Sequence, residues 1–92
     1  MTGRMEKLGY PKRVDGLDIS QAEEGYIVYQ PDKDRVHFLN HTAILILELC
    51  NGESSPDEIA ELVKTAYGLP EAPRREVEDA LEKMKAEGLF VV

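Results

Sequence analysis

A single cysteine, Cys50, stands among the 92 residues, so no disulfide can close within the chain and a reducing compartment, the cytoplasm, is the expected location. No run approaches the roughly 20 apolar residues a spanning helix needs, which argues against a membrane partner. The opening Met-Thr-Gly-Arg-Met-Glu-Lys lacks the apolar core of a secretory signal. The seven glycines are scattered through the chain rather than gathered into a phosphate-cradling loop. Asp32 and Asp34 flank Lys33 without the glycine and downstream glutamate of a calcium loop. The only histidines, His37 and His41, straddle a predicted strand-to-helix junction, and their spacing to Cys50 fits no zinc pattern. Cys50 itself, near the end of an apolar segment, reads as a small core residue. The residues assemble no catalytic, metal or cofactor site, and the expectation is a binding module rather than an enzyme.

What is present is an ordinary globular composition, 42% hydrophobic and 32% charged, at a length that supports one modest core. The net charge of −7 conceals an asymmetry: Arg4, Lys7, Lys12 and Arg13 against Glu6 give residues 1–13 a charge of +3, leaving −10 on residues 14–92. Residues 1–13 read as a basic, flexible arm and residues 14–92 as the folded domain. An acidic body repels phosphate backbones and argues against a nucleic-acid partner.

The first half of the domain runs in a period of two. Residues 13–20 suggest a weak strand, bulged at Gly16. Glu23-Glu24-Gly25 reads as a turn with Gly25 able to take positive φ, Tyr26–Tyr29 as a strand, Pro31–Asp34 as a turn and Arg35–Leu39 as a third strand. Short connections make the three sequential and antiparallel. The pattern then turns helical. Asn40 caps a first helix to about Leu49 that is apolar nearly all round and therefore central. Ser55, Pro56 and Glu58 form a capping box for a second helix carrying Ile59, Leu62, Val63, Ala66 and Tyr67, ended by Gly68. A third helix, about Arg74–Glu87, carries Val77, Ala80, Leu81 and Met84. The tail Leu89–Val92 is apolar enough to pack back on the body. The expected fold is α+β and winged-helix-like: a three-stranded antiparallel sheet followed by three helices.

A three-stranded sheet has two edges, and an uncovered edge offers unpaired amides and carbonyls to another chain. If Val36–Leu39 lies at one, an extended peptide can join it as a further strand, with the third helix supplying a wall. Arg74 and Arg75 open that helix, at the end that disfavours cations, and could receive carboxylates from a partner.

The segment Val36-His-Phe-Leu-Asn-His-Thr-Ala43, then Ile46-Leu47, Leu49-Cys-Asn-Gly52, the capped helix with Glu58-Ile59, Leu62 and Tyr67, and Glu87-Gly-Leu89 resemble the PqqD-like family, also called the RiPP recognition element, RiPPs being ribosomally made, post-translationally modified peptides. The resemblance spans about residues 14–91. It implies a winged-helix-like domain that holds the leader of a precursor peptide for a modifying enzyme, typically a radical S-adenosylmethionine enzyme, as in pyrroloquinoline quinone synthesis. It implies leader contacts along Val36, His37, Phe38 and Leu39, with third-helix contacts from Arg74, Arg75, Val77, Glu78, Leu81 and Lys85. The chain would contribute no catalytic residue and would act by raising the local concentration of precursor at the enzyme. Two alternatives stay open. A winged-helix nucleic-acid binder should have a basic third helix, yet residues 74–87 sum to −1. A homodimer could pair through the same strand edge or through the apolar tail.

Overall fold

The computed structural model describes residues 9–91. The elements are β1 (Lys12–Arg13), β2 (Asp18–Ala22), β3 (Gly25–Gln30), β4 (Arg35–Leu39), α1 (His41–Leu49), α2 (Pro56–Tyr67), α3 (Arg74–Ala86) and β5 (Phe90–Val91). Strands β2, β3 and β4 form an antiparallel sheet in that order, followed by the three helices, as expected. A second, two-stranded ribbon pairs β1 with β5.

That ribbon takes in the last two residues of the segment read as an arm. Lys12 and Arg13 lie opposite Val91 and Phe90, and Pro11 is fully buried. The Pro11 carbonyl accepts from the Gly52 amide at 2.9 Å, and the Arg13 amide donates to the Cys50 carbonyl at 2.8 Å. The end of the basic segment is therefore stitched between the chain's last strand and the α1–α2 loop. Residues 1–8 of the expected arm lie outside the described residues. The weak strand over 13–20 also moves: Gly16, at φ +80, turns the chain ahead of β2, and no bulge is needed.

Gly25 is glycine for a different reason from the one its turn suggests. Its φ is not positive; a Cβ built there would lie 2.5 Å from the Leu39 carbonyl oxygen and 3.0 Å from Phe38 Cζ. Close approach of β3 to β4 is what excludes a side chain.

The helix ends follow the sequence signals closely. The Asn40 side chain accepts from the Ala43 amide at 2.8 Å. Ser55 and Glu58 exchange both capping-box bonds. At the end of α3 the Gly88 amide donates to the Lys85 carbonyl and the Leu89 amide to Met84, with Gly88 at φ +74. This left-handed stop turns the chain so that Leu89 and Phe90 enter the core instead of continuing into solvent.

The core lies between the inner sheet face and the helices. It holds Val28 and Leu39 from the sheet, Ile44, Ile46 and Leu47 from α1, Ile59 and Val63 from α2, Val77, Leu81 and Met84 from α3, and the tail pair Leu89 and Phe90. The α2 stripe is narrower than expected: Leu62, Ala66 and Tyr67 are exposed. No helix among the described residues is long and apolar enough to cross a membrane.

Candidate functional site

Strand β4 is an edge: β3 covers one side of it and no strand among the described residues covers the other. Which of its groups face outward follows from the hairpin before it. The two-residue turn Glu23–Glu24 closes on the pair Ala22↔Gly25, and hydrogen-bonded pairs alternate along an antiparallel ladder. Gly25, Ile27 and Tyr29 therefore bond toward β2, while Tyr26, Val28 and Gln30 bond toward β4. The partners of the latter set are Leu39, His37 and Arg35. The amides and carbonyls of Val36 and Phe38 are left pointing away from the sheet.

The side chains divide with the same parity. His37 and Leu39 face inward and are buried, whereas Val36 and Phe38 are 65% and 59% exposed on the outer face. Ile27, opposite Phe38, is 40% exposed. The edge thus carries an apolar strip on the sheet face that no helix among the described residues covers.

Beside the edge runs a groove of about 400 Å³, bounded by Phe38, Leu39 and Asn40 from the β4 end, Thr42, Ala43 and Ile46 from α1, and Glu76, Ala80, Lys83, Met84 and Glu87 from α3. This volume is at the small end for ligand clefts. Its apolar base is Leu39, Ala43, Ile46, Ala80 and Met84, and Lys83 is the one cation lining it.

His37 locks the edge strand to the far wall. Its Nδ1 lies 2.8 Å from Glu87 Oε2 and its Nε2 3.1 Å from Gln30 Oε1. Gln30 Nε2 donates to the Gly88 carbonyl at 3.1 Å, which fixes the amide so that Oε1 faces the imidazole. Both ring nitrogens consequently face acceptors. A buried polar residue in mid-strand is tolerable only with such partners, and here they tie β3, β4 and the end of α3 together.

The structure sorts the residues expected at the site. Phe38 and Leu39 line the groove, and Val36 stands on the exposed edge. His37 supports the edge from within. The α3 set changes more. Val77 and Leu81 are fully buried core residues and are not available to a partner. Arg74 turns to α2, donating to Asp57 Oδ1 and Glu61 Oε2, each at 3.1 Å, and these bonds hold its proton more firmly. Arg75, Glu78 and Lys85 do not line the groove. The carboxylate oxygens of Glu78, Asp79 and Glu82 lie within 4.8 Å of one another, an outcome of their adjacency on one helix side rather than a ligand set. His37, His41 and Cys50 form no metal-binding group among the described residues. Burial pushes the Cys50 thiol up to about 12, an inert state for a nucleophile.

The groove residues that sequence reading missed, Glu76, Ala80, Lys83 and Glu87, form one ridge at spacings of four, three and four. They flank the Val77–Leu81–Met84 stripe on one side, and Arg74, Glu78 and Lys85 flank it on the other. Periodicity defines both flanks equally well. The small residue Ala80 within the stripe was the available sign of where the helix surface leaves room.

An open-edged α+β domain with an apolar strand edge beside a helix-walled groove has the geometry into which an extended peptide can add as a strand. The chain belongs to the PqqD family: the family model described as Coenzyme PQQ synthesis protein D (PqqD) matches residues 25–89, from the start of β3 to the end of the α3 stop. Two solved structures share the fold. One is lasso peptide synthetase B1 complexed with the leader peptide, 20% identical with a TM-score of 0.65, covering 90% of this chain and 99% of that one. The other is TbiB1 in complex with the TbiA(beta) leader peptide, 17% identical with a TM-score of 0.67, covering 86% of this chain and 93% of that one. No curated protein matches the chain.

Proposed function

We propose that this chain is a non-catalytic recognition domain that binds the leader of a ribosomal precursor peptide by strand addition to β4 and presents it to a modifying enzyme, a radical S-adenosylmethionine enzyme being the class in view. The observation that carries the reading is the backbone of Val36 and Phe38, whose donors and acceptors point out of the sheet next to an apolar groove. Family membership and two relatives of the same fold in complex with leader peptides support it. Because main-chain pairing supplies affinity while the groove supplies selectivity, the domain needs no reactive group of its own. Tethering the leader at the enzyme raises the effective concentration of the peptide to be modified.

The test is titration of isotopically labelled protein with the leader of a candidate precursor peptide. Amides of residues 35–40 and of the ridge Glu76–Glu87 should shift, and Phe38→Pro should abolish the shifts while the core spectrum persists. Shifts confined to α2, or a Phe38→Pro variant that binds as well as the parent, would refute strand addition. Co-purification of the leader-loaded domain with the modifying enzyme tests the second half of the proposal.

A further inference from the structure

We infer that the segment β4 selects is apolar at about four successive positions, the length of Val36–Leu39, and carries an acidic side chain directed at Lys83; this rests on the strand-addition reading above. A strand bound at one exposed edge ordinarily alternates, apolar toward the protein and polar toward water. The surroundings of β4 do not offer that division. Side chains of an added strand alternate between two faces. On the inner side they meet the groove floor of Ala43, Ile46, Ala80 and Met84. On the outer side they fall beside Val36 and Phe38, which are 65% and 59% exposed, with Ile27 behind them. Cross-strand neighbours on one sheet face stabilise each other when both are aromatic or β-branched. A polar residue at an outward position would leave that strip wet, and an apolar one would cover it. Both faces of the incoming strand therefore reward apolar side chains.

Charge sets the polar position. Among the described residues no ion pair or hydrogen bond engages the Lys83 side chain, and it is the single cation on the groove wall. Glu87 on the same wall is held by His37, and Glu76, two helical turns from Lys83, carries the opposite sign. A carboxylate on the peptide is thus attracted to one point along the groove.

A random 12-residue peptide library displayed on phage and panned against the full chain tests this, with parallel panning on Val36→Thr/Phe38→Thr and on Lys83→Glu. All three substitutions are at exposed positions, so the core is left intact. The parent should enrich peptides with successive apolar residues and a neighbouring Asp or Glu. The double threonine variant should shift enrichment toward alternating peptides. Lys83→Glu should lose the acidic preference, with synthetic acid-bearing peptides binding about two- to fivefold more weakly, as an exposed ion pair allows. Enrichment of alternating peptides by the parent, in a manner abolished by Phe38→Pro, would overturn the inference and leave strand addition standing. Enriched peptides that bind Phe38→Pro and parent alike, or no enrichment at all, would overturn both.

Discussion

Replacing His37 with phenylalanine should cost the domain about 2–4 kcal/mol. The ring shape is nearly kept, so the loss is polar. Glu87 Oε2 and Gln30 Oε1 each lose the ring nitrogen that faces them, at 2.8 and 3.1 Å. The two respond differently. The Glu87 side chain is 31% exposed and can recruit water, so its share is small. Gln30 is 5% exposed, its amide is pinned by Gly88, and its oxygen stays dry. An orphaned buried acceptor costs about 1–3 kcal/mol, and the lost bonds about 1 kcal/mol more. Against a total stability of roughly 5–10 kcal/mol for a domain of this size, the melting temperature should fall by roughly 10–25 °C. Urea denaturation monitored by circular dichroism gives the free energy directly. A double-mutant cycle with Glu87→Gln isolates the pair: once His37 is gone, the second substitution should add almost nothing. A loss below about 1 kcal/mol in His37→Phe, or strict additivity in the cycle, would show that the His37 network does not hold β4 to α3.

Val36→Pro and Phe38→Pro should weaken leader binding at least tenfold with little change in the urea midpoint, whereas His37→Pro should unfold the sheet, because of these three residues His37 alone directs its amide to β3; isothermal titration and denaturation separate the two effects. Gly25→Ala should destabilise by about 1–3 kcal/mol, since the new Cβ meets the Leu39 carbonyl at 2.5 Å and the backbone must yield; an unchanged denaturation midpoint would refute that contact. Cys50 should react with thiol reagents only as fast as the domain unfolds. Its thiol titrates near 9.0 unfolded and about 12 folded, so its contribution to stability is complete below pH 9 and declines as pH rises toward 12. Cys50→Val should accordingly flatten the alkaline loss in urea midpoint, and an identical pH profile would contradict the assignment. Reversing Arg75 or Glu78 should leave leader affinity unchanged while reversing Lys83 alters it, which binding isotherms for the three variants would decide.

Most of the fold was legible because its signals are local. Asn40, Ser55 with Glu58, Gly68 and Gly88 each specify a helix boundary by chemistry within four residues, and the alternation in Arg35–Leu39 marks β4 without reference to anything else. What escaped depended on distant partners. The pairing of Lys12–Arg13 with Phe90–Val91 joins the two ends of the chain, and two-residue strands carry no periodicity to read. Gly25 looked like a turn residue because sequence shows its neighbours and not the β4 carbonyl that approaches it. Within the site, the edge strand was readable and the helix face was not. A 3.6-residue repeat fixes the buried stripe Val77–Leu81–Met84, but the choice between its flanks is made by how α3 leans against α2. Arg74 records that choice, since its bonds to Asp57 and Glu61 place its flank against α2 and turn the Glu76–Glu87 ridge toward β4.

The two edges of the sheet differ in composition. Along β2, Asp18, Ser20 and Gln21 are exposed, polar residues of the sort that keep a free edge from pairing with other chains. Along β4 the corresponding outer positions are Val36 and Phe38, apolar, largely exposed and set on outward-facing backbone. An unprotected edge of that composition invites aggregation and would be expected to have been blunted by a lysine or proline if solvent were its only neighbour. The protection present on one edge and missing from the other, in a sheet of three strands, is what a domain needs when a single edge is kept for a partner strand. The His37 network gives the same edge rigidity from behind, so that β4 presents a fixed template instead of fraying. A preformed template lowers the ordering cost of binding on the protein side, leaving that cost to the peptide alone.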